Sequence, residues 1–140
     1  MTERALIDTG PLVALYHGQD PHHPRCRAAL VKLSPPLLTC WPVLTEAAWL
    51  LRKRPDGFRA IIDGFAGGLF ALLPLDSGEL GAIAAIMTRY ESAGIQLADA
   101  ALAHLADREG IRTIFTTDRR DFSIIRLKRN RSLKLIPDMQ

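Results

Sequence analysis

The chain has 140 residues, of which 48% are hydrophobic and 24% are charged, and its formal net charge is +3. This length suits one domain, residues 1–140, and the sequence holds no apolar run of the roughly 18 residues that a membrane span needs. Because no leader pattern is seen, we expect no export, and the two cysteines, Cys26 and Cys40, form no zinc-ligand or disulfide pattern. We therefore expect a cytoplasmic protein with no membrane partner.

Short apolar runs alternate with helix-like segments along the chain. The runs that predict strands are Arg4–Ile7, Leu37–Cys40, Leu69–Leu75, Thr113–Thr116 and Leu133–Ile136. The segments that predict helices run from Asp20 and Pro21 to about Leu33, over Pro42–Arg54 and Phe58–Phe65, from Asp76 or Ser77 to about Ser92, and over Leu97–Arg108 before Gly110. This alternation predicts an α/β fold in which helices cover a parallel sheet.

Four carboxylates, Asp8, Glu46, Asp99 and Asp118, lie at the ends of apolar elements. In an open α/β sheet the ligand binds beyond the carboxyl ends of the strands, where the strand order reverses. If the strand order is 3-2-1-4-5, the strands that precede Asp8 and Asp118 are neighbours, and the other two acids enter from adjacent helices. Clustered carboxylates repel one another until a divalent cation neutralises them. The pattern therefore favours a metal-dependent hydrolase.

Each of these acids also has a structural interpretation. Asp99 fits a first-turn position that the helix dipole favours, and Asp8 and Asp118 lie in good turn sequences. Glu46 fits less well, because its helical neighbours are apolar and include no basic residue one turn later. The joint occurrence of the four acids favours the functional interpretation.

Basic residues are concentrated near the C-terminus, where eight of them and two aspartates lie between Arg112 and Lys134. A second basic cluster, Arg52–Arg54 with Arg59, follows the Glu46 helix. If the four acids point into a site, the surrounding surface is more cationic than the total charge suggests, which favours a phosphate-backbone ligand. Without the acids, solubility explains these basic residues equally well.

Other residues that carry chemistry have weaker functional interpretations. Asp121 is a possible fifth acid, but N-capping the turn at Phe122 or pairing with an arginine explains it better. The group Asp20, His22, His23 and Cys26 does not predict a zinc site, because the start of a helix explains Asp20. His104 is expected on the solvent side of its helix.

Two other phosphate chemistries fit poorly. An aspartyl phosphohydrolase needs a second acid two residues after the first, where this chain has Gly10. A phospho-receiver domain needs an acid beside Asp8 and a phosphorylatable aspartate after the third strand, and only Asp76 meets the second requirement.

The acidic segments resemble those of a known family over nearly the whole chain. LIDTGPLVALY resembles the first strand with its metal-binding acid, Asp8, and LTEAAWLL resembles the segment of the second acid, Glu46. LADAALAHLA is similar to the third motif, with Asp99, and FTTDRRDF to the fourth, with Asp118. The chain therefore resembles PIN-domain ribonucleases, and among them the small bacterial toxins of VapC type.

The resemblance implies a Rossmann-like parallel sheet in the order 3-2-1-4-5 and hydrolysis of RNA phosphodiesters with Mg²⁺ or Mn²⁺. Carboxylate oxygens favour these ions, which activate water and stabilise the leaving 3′ oxygen. By analogy, Asp8 and Asp99 hold the main ion, and Glu46 and Asp118 complete the site directly or through water.

Nearby side chains have supporting roles in this hypothesis. The hydroxyls of Thr9, Thr116 and Thr117 orient the acids or a water, although β-propensity also explains them. Arg119 and Arg120 are expected at the mouth of the crevice, in contact with RNA phosphates.

We expect a homodimeric ribonuclease that is the toxin of a type II toxin–antitoxin pair, with RNA as substrate and a protein antitoxin as partner. The alternatives are a PIN-fold nuclease of RNA processing and a catalytically silent PIN-fold module that binds RNA or protein.

Overall fold

The computed structural model describes residues 3–137, so the predicted domain, 1–140, extends beyond the described residues at both ends. The helices are α1 (Thr9–Leu15), α2 (His23–Leu30), α3 (Trp41–Leu50), α4 (Pro55–Ala66), α5 (Leu80–Arg89), α6 (Leu97–Glu109) and α7 (Arg119–Ile124). The strands are β1 (Leu6–Ile7), β2 (Leu37–Thr39), β3 (Phe70–Leu72), β4 (Thr113–Phe115), β5 (Arg126–Leu127), β6 (Arg131–Ser132) and β7 (Lys134–Ile136). None of these helices has the length and apolar character that crossing a membrane requires.

Five strands form a parallel sheet in the order β3-β2-β1-β4-β7. This arrangement confirms the predicted α/β class and the order 3-2-1-4-5, because the antiparallel hairpin β5–β6 precedes the fifth strand of the sheet. Leu6 of β1 pairs with Leu38 on one side and with Ile114 on the other. The three central strands are buried along their whole length, as expected for a parallel sheet with helices on both faces.

Helix α6 packs into the centre of the molecule. Eight of its residues are buried, and five of these are alanines. Alanine side chains let the helix backbone approach α3 and α5 closely. Gly110 ends the helix in the left-handed conformation, with φ 68°, as the sequence predicts.

Two helices that border the site were not predicted. The segment after Asp8 forms α1, because Pro11 lies in a first turn, where its missing N–H costs no helical hydrogen bond. The segment after Asp118 forms α7 and not an isolated turn.

Several predicted helix bounds were also wrong. Asp20 accepts a hydrogen bond from the His22 N–H at 2.8 Å in a turn, so α2 begins only at His23. Pro55 starts α4 in place of merely ending the helix before it. Asp76 is a cap as predicted, but of the 3₁₀ turn Ser77–Glu79, and the α-helix that follows ends at Arg89.

The predicted solvent face of α6 carries the residues of this helix that are not buried, and two of them contact Glu79. His104 Nε2 lies 2.8 Å from Glu79 Oε1, and Arg108 donates a hydrogen bond to the same oxygen. The backbone N–H of Asp76, His104 and Arg108 together lower the pKa of Glu79 to about 2. His104 therefore links α6 to the turn before α5 from the less buried side of its helix, which agrees with its predicted position.

Two glycines allow a test of packing around β3. A Cβ at Gly64 would lie 2.7 Å from Phe70 Cε2, whereas a Cβ at Gly81, in the first turn of α5, would meet no atom within 4 Å. We expect Gly64→Ala to lower the free energy of unfolding by about 1–3 kcal/mol, because the buried Phe70 ring must move. Gly81→Ala should raise it by up to about 1 kcal/mol through lower backbone entropy of the unfolded chain. Urea unfolding measures both, and equal stabilities for the two variants would contradict this account of the packing.

Candidate metal centre

Asp8 lies directly after β1 and is 6% exposed. The hydroxyl of Thr116, the residue after β4, donates a hydrogen bond to Asp8 Oδ2 at 2.9 Å. The backbone N–H of Thr9 donates to the same carboxylate. Because β1 and β4 are paired, the ends of these two strands hold the acid against its hydroxyl donor.

Asp99 lies in the first turn of α6 and is 8% exposed. Its Oδ2 accepts a hydrogen bond from the Gln96 N–H at 3.2 Å, so Asp99 does stabilise the start of its helix. This bond leaves other lone pairs of the carboxylate for a ligand. The structural and the functional interpretations of Asp99 are therefore compatible.

Asp118 and Asp121 lie on the same side of α7. Asp118 caps this helix and accepts a hydrogen bond from the Asp121 N–H at 3.4 Å. One carboxylate oxygen from each of Asp99, Asp118 and Asp121 lies within 4.8 Å of the other two. The N-cap interpretation of Asp121 was wrong, because Asp118 takes the capping position and leaves Asp121 within the helix.

Glu46 approaches the cluster from α3, the helix that follows β2, and it is partly buried. Its charge acts on both Asp8 and Asp99. Of the four acids singled out in the sequence, Asp99 and Asp118 thus form a close group with Asp121, and Asp8 and Glu46 lie near enough to Asp99 for their charges to interact.

Burial and mutual repulsion disfavour the ionised form of the carboxylates in the cluster. Burial is the largest cause that raises the pKa of Asp8 to about 7, and the charges of Asp99 and Glu46 add to it. The hydrogen bonds from Thr9 and Thr116 lower this pKa but do not offset the rise. Burial and the charges of Asp118, Asp121 and Glu46 raise the pKa of Asp99 to about 6. Within residues 3–137, the five side-chain ion pairs all involve other carboxylates. A bound cation would supply the charge that this cluster needs.

The three threonines differ in what they contact. Besides binding Asp8, Thr116 Oγ1 accepts a hydrogen bond from the Asp118 N–H at 2.9 Å, so one hydroxyl joins two acids. The Thr9 hydroxyl points to the Val43 carbonyl at 3.5 Å, and only its backbone N–H reaches Asp8. Thr117 packs against Gly10, where an added Cβ would lie 2.1 Å from Thr117 Oγ1.

The two arginines after Asp118 also differ. Arg119 is half-buried, and its guanidinium donates hydrogen bonds to the carbonyls of Leu135 and Pro137 at 3.4 and 2.9 Å. Arg120 is exposed, and its charge acts on Asp121. Arg120 is therefore the one of the pair that is placed to meet a ligand.

The side chains of Cys26, Cys40 and His23 are alternative candidates for a nucleophile or a metal ligand. Burial raises the pKa of the Cys40 thiol to about 11, with a further contribution from Asp8, so this thiol stays protonated beside the acids. Burial likewise raises the pKa of Cys26 to about 11. His23 Nδ1 lies 2.6 Å from the Ala14 carbonyl and holds α2 to α1. These positions give no support for a thiolate nucleophile or a zinc ligand set.

Carboxylate oxygens thus form the donor set of the cluster. Hard oxygen ligands fit Mg²⁺ and Mn²⁺, and these ions bind well with only a few carboxylates and several waters. The residues are therefore suited to a hydrated divalent cation. Asp121 was set aside in the sequence interpretation, but its spacing could have identified it. It follows Asp118 by three positions, and residues three apart are neighbours on the surface of a helix.

A basic cleft lies between α5, α6 and the β5–β6 hairpin. The basic residues that line it are Arg89, His104, Arg108, Arg126, Lys128 and Arg129. Asp107 is also part of its lining, and its carboxylate accepts hydrogen bonds from the Lys128 N–H. Some of the basic residues of the C-terminal segment therefore line this cleft together with residues of α5 and α6.

Comparisons with known proteins identify a family and a fold for this chain. The model of the PIN domain family matches residues 5–128. Ribonuclease VapC26 of Mycobacterium tuberculosis (strain ATCC 25618 / H37Rv) is 34% identical over 123 residues, which cover 86% of this chain and 91% of that protein. The crystal structure of Mycobacterium tuberculosis VapC20, a Sarcin-Ricin loop cleaving toxin, superposes with a TM-score of 0.71 at 19% identity and covers 83% of this chain and 91% of that chain.

The raised pKa values of Asp8 and Asp99 predict a pH-dependent stability. Between the ordinary carboxyl pKa near 4 and the folded values of about 7 and 6, the folded state binds protons more tightly than the unfolded chain. The free energy of unfolding of the metal-free protein should therefore fall as the pH rises through this window. Asp8→Asn should flatten the fall and leave the variant more stable than wild type at pH 7, by on the order of 2 kcal/mol.

Urea unfolding in EDTA at a series of pH values measures this effect. The matched control is Asp63→Asn, the same substitution at an exposed position of α4, which should keep the wild-type slope. Millimolar Mn²⁺ should restore the stability of the wild type at pH 7 and affect Asp8→Asn much less. An Asp8→Asn profile parallel to that of wild type would show that this carboxylate does not cause the pH dependence.

Proposed function

Because this chain belongs to the PIN-domain family, and within it resembles VapC-type members, we propose that it is a metal-dependent endoribonuclease and the toxin of a type II toxin–antitoxin pair. The observation that supports this function best is the close group of Asp99, Asp118 and Asp121, whose charges, with that of Glu46, act on Asp99, next to the buried Asp8 at the carboxyl end of the sheet. Five carboxylates that take part in none of the ion pairs within residues 3–137 are unfavourable in a purely structural role.

In this proposal Asp8 and Asp99 are the main ligands of Mg²⁺ or Mn²⁺. Glu46, Asp118 and Asp121 complete the site directly or through water. When bound, the cation supplies a Lewis acid that lowers the pKa of water and neutralises charge on the phosphate. The chain itself orients the acids: the Thr116 hydroxyl fixes one oxygen of Asp8 and the position of the Asp118 backbone. No covalent nucleophile is needed.

A polyanionic substrate suits the surface around the acids. We assign phosphate contact to Arg120, while Arg119 contributes mainly by joining α7 to β7 through the carbonyls that it binds. The basic cleft beside α6 offers a second region for the RNA backbone. An RNA substrate and two free, buried cysteines favour action in the cytoplasm.

The intact acid cluster favours catalysis over a silent RNA-binding or protein-binding module. The name of Ribonuclease VapC26 and the description of VapC20 as a toxin favour a toxin over a nuclease of RNA processing. A toxin requires a cognate antitoxin, and a protein antitoxin is therefore the partner that we propose. The homodimer remains a prediction from the family resemblance.

We expect Asp8→Asn and Asp99→Asn each to lower metal-dependent RNA cleavage by at least roughly 100-fold, because each removes one proposed metal ligand. Asp121→Asn should lower it by roughly 10- to 100-fold, as a supporting acid would. Initial cleavage rates with Mn²⁺, Mg²⁺ or EDTA measure these effects, with circular dichroism to verify folding. Asp63→Asn is the matched control and should cleave like wild type. Full activity in Asp8→Asn or Asp99→Asn would reject the metal centre.

Arg119 and Arg120 should have different effects when RNA affinity is measured over a series of salt concentrations. Arg120→Ala should lower the slope of log affinity against log salt by about 0.7, the value for one phosphate contact on single-stranded RNA. Arg119→Ala should leave the slope unchanged and lower the free energy of unfolding by about 1 kcal/mol, because it loses hydrogen bonds to two carbonyls. Arg4→Ala, which changes an exposed residue just before β1 at the opposite end of the sheet, is the control for general charge loss. A slope that responds only to Arg119→Ala would reverse the assignment of the two residues.

A further inference from the structure

Both tryptophans of the chain lie on α3 with most of their surface in solvent. Trp41 and Trp49 are each 63% exposed, and the sequence contains no other tryptophan. Large aromatic side chains bury substantial area in cores and interfaces, so two exposed indoles on one short helix mark a surface that binds something.

The two indoles line one open groove between α3 and the start of α6. The other lining residues are Pro42, Thr45, Glu46, Gln96, Leu97 and Ala98. Glu46 belongs to this groove and also acts electrostatically on Asp8 and Asp99. The groove is therefore continuous with the acid cluster, and Ala98 precedes Asp99 directly.

Positive charge lies against one of the two indoles that line the groove. The Arg52 guanidinium lies 3.9 Å from the centroid of the Trp49 ring, and it donates a hydrogen bond to the Trp49 carbonyl at 2.9 Å. These contacts fix Trp49 and place a cation against its ring. Lys53 and Arg54 follow directly and are exposed. An apolar stacking surface edged by cations complements a nucleobase whose phosphate is close by.

We propose that this tryptophan groove, formed by Trp41, Trp49 and Leu97 beside Glu46, binds unpaired nucleobases of the RNA substrate by stacking. This inference rests on the proposed ribonuclease function and deepens it, since it assigns residues that hold the bases of the substrate beside the acids. In duplex RNA the bases are stacked on one another and are not available to the indoles. Trp41 and Trp49 thereby position a strand so that an adjacent phosphodiester lies at the acids.

The tryptophans themselves report on the groove. In EDTA, which prevents metal-dependent cleavage, a short single-stranded RNA should quench the tryptophan fluorescence, while an abasic oligonucleotide of the same length should not. Trp41→Ala and Trp49→Ala should each weaken binding of the single-stranded RNA by roughly 5- to 150-fold, the range for loss of one stacked base. Trp→Phe variants should retain most of the affinity, because phenylalanine still stacks.

Leu80→Ala is the matched control, since Leu80 is 59% exposed but lies on α5 away from the groove. It should bind RNA like wild type. Trp49→Ala should also lose the preference for single-stranded over duplex RNA, which a general loss of stability would not alter. Gel analysis of the recovered RNA verifies that it stays intact.

Unchanged RNA affinity in both alanine variants, or equal quenching by the abasic oligonucleotide, would overturn the proposal. A second result would also overturn it. If light scattering shows that the wild type is a dimer, and either alanine variant is a monomer with unchanged RNA affinity, the groove is an interface between two copies. Cleavage by the wild type with Mn²⁺ tests the proposed function separately: its absence would reject the ribonuclease, whereas cleavage combined with unaltered binding by the variants would reject only the groove.

Discussion

The pairing of β1 with β4 is the constraint on which the site depends. Ile7 pairs with Phe115, and the Asp8 N–H donates to the Phe115 carbonyl at 2.9 Å, so the two strands end side by side. The next residues on each strand, Asp8 and Thr116, then meet through a side-chain hydrogen bond. The backbone ladder of the sheet, and not any contact between loops, thus sets the separation of the acid and its donor.

Helix α6 adds the second constraint. Its alanines bring the helix axis close to its neighbours, which leaves Asp99 almost without solvent. The same close packing that stabilises the fold therefore raises the pKa of an acid in its first turn. A metal-free protein carries this electrostatic cost as a pH-dependent loss of stability, and a divalent cation offsets it. Stability and function are opposed at Asp99 in the absence of an ion.

Apolar runs predicted the strands, and the family resemblance implied their order, from which the approach of the acids was expected. Sequence patterns failed where local signals had two meanings. The sequence TTDRRDF reads as a turn, yet six residues after Asp118 form α7, and this short helix carries Asp121 to Asp99. Pro55 reads as a helix end, yet it starts α4. The sequence also could not distinguish the roles of Arg119 and Arg120. Only the position of β7 shows that the Arg119 guanidinium donates to backbone carbonyls there.

Helix α3 gives the proposed site its internal geometry. Glu46 follows Trp41 by five residues and precedes Trp49 by three, so all three side chains share a broad face of one helix. A rigid helix fixes the distance between a stacked base and an acid at the metal centre far better than a loop does. The nucleotide that stacks and the phosphodiester that is cleaved would then be a set number of bonds apart. Under this arrangement substrate choice follows from the spacing between an unpaired base and the scissile bond, and it needs no hydrogen-bond recognition of base identity.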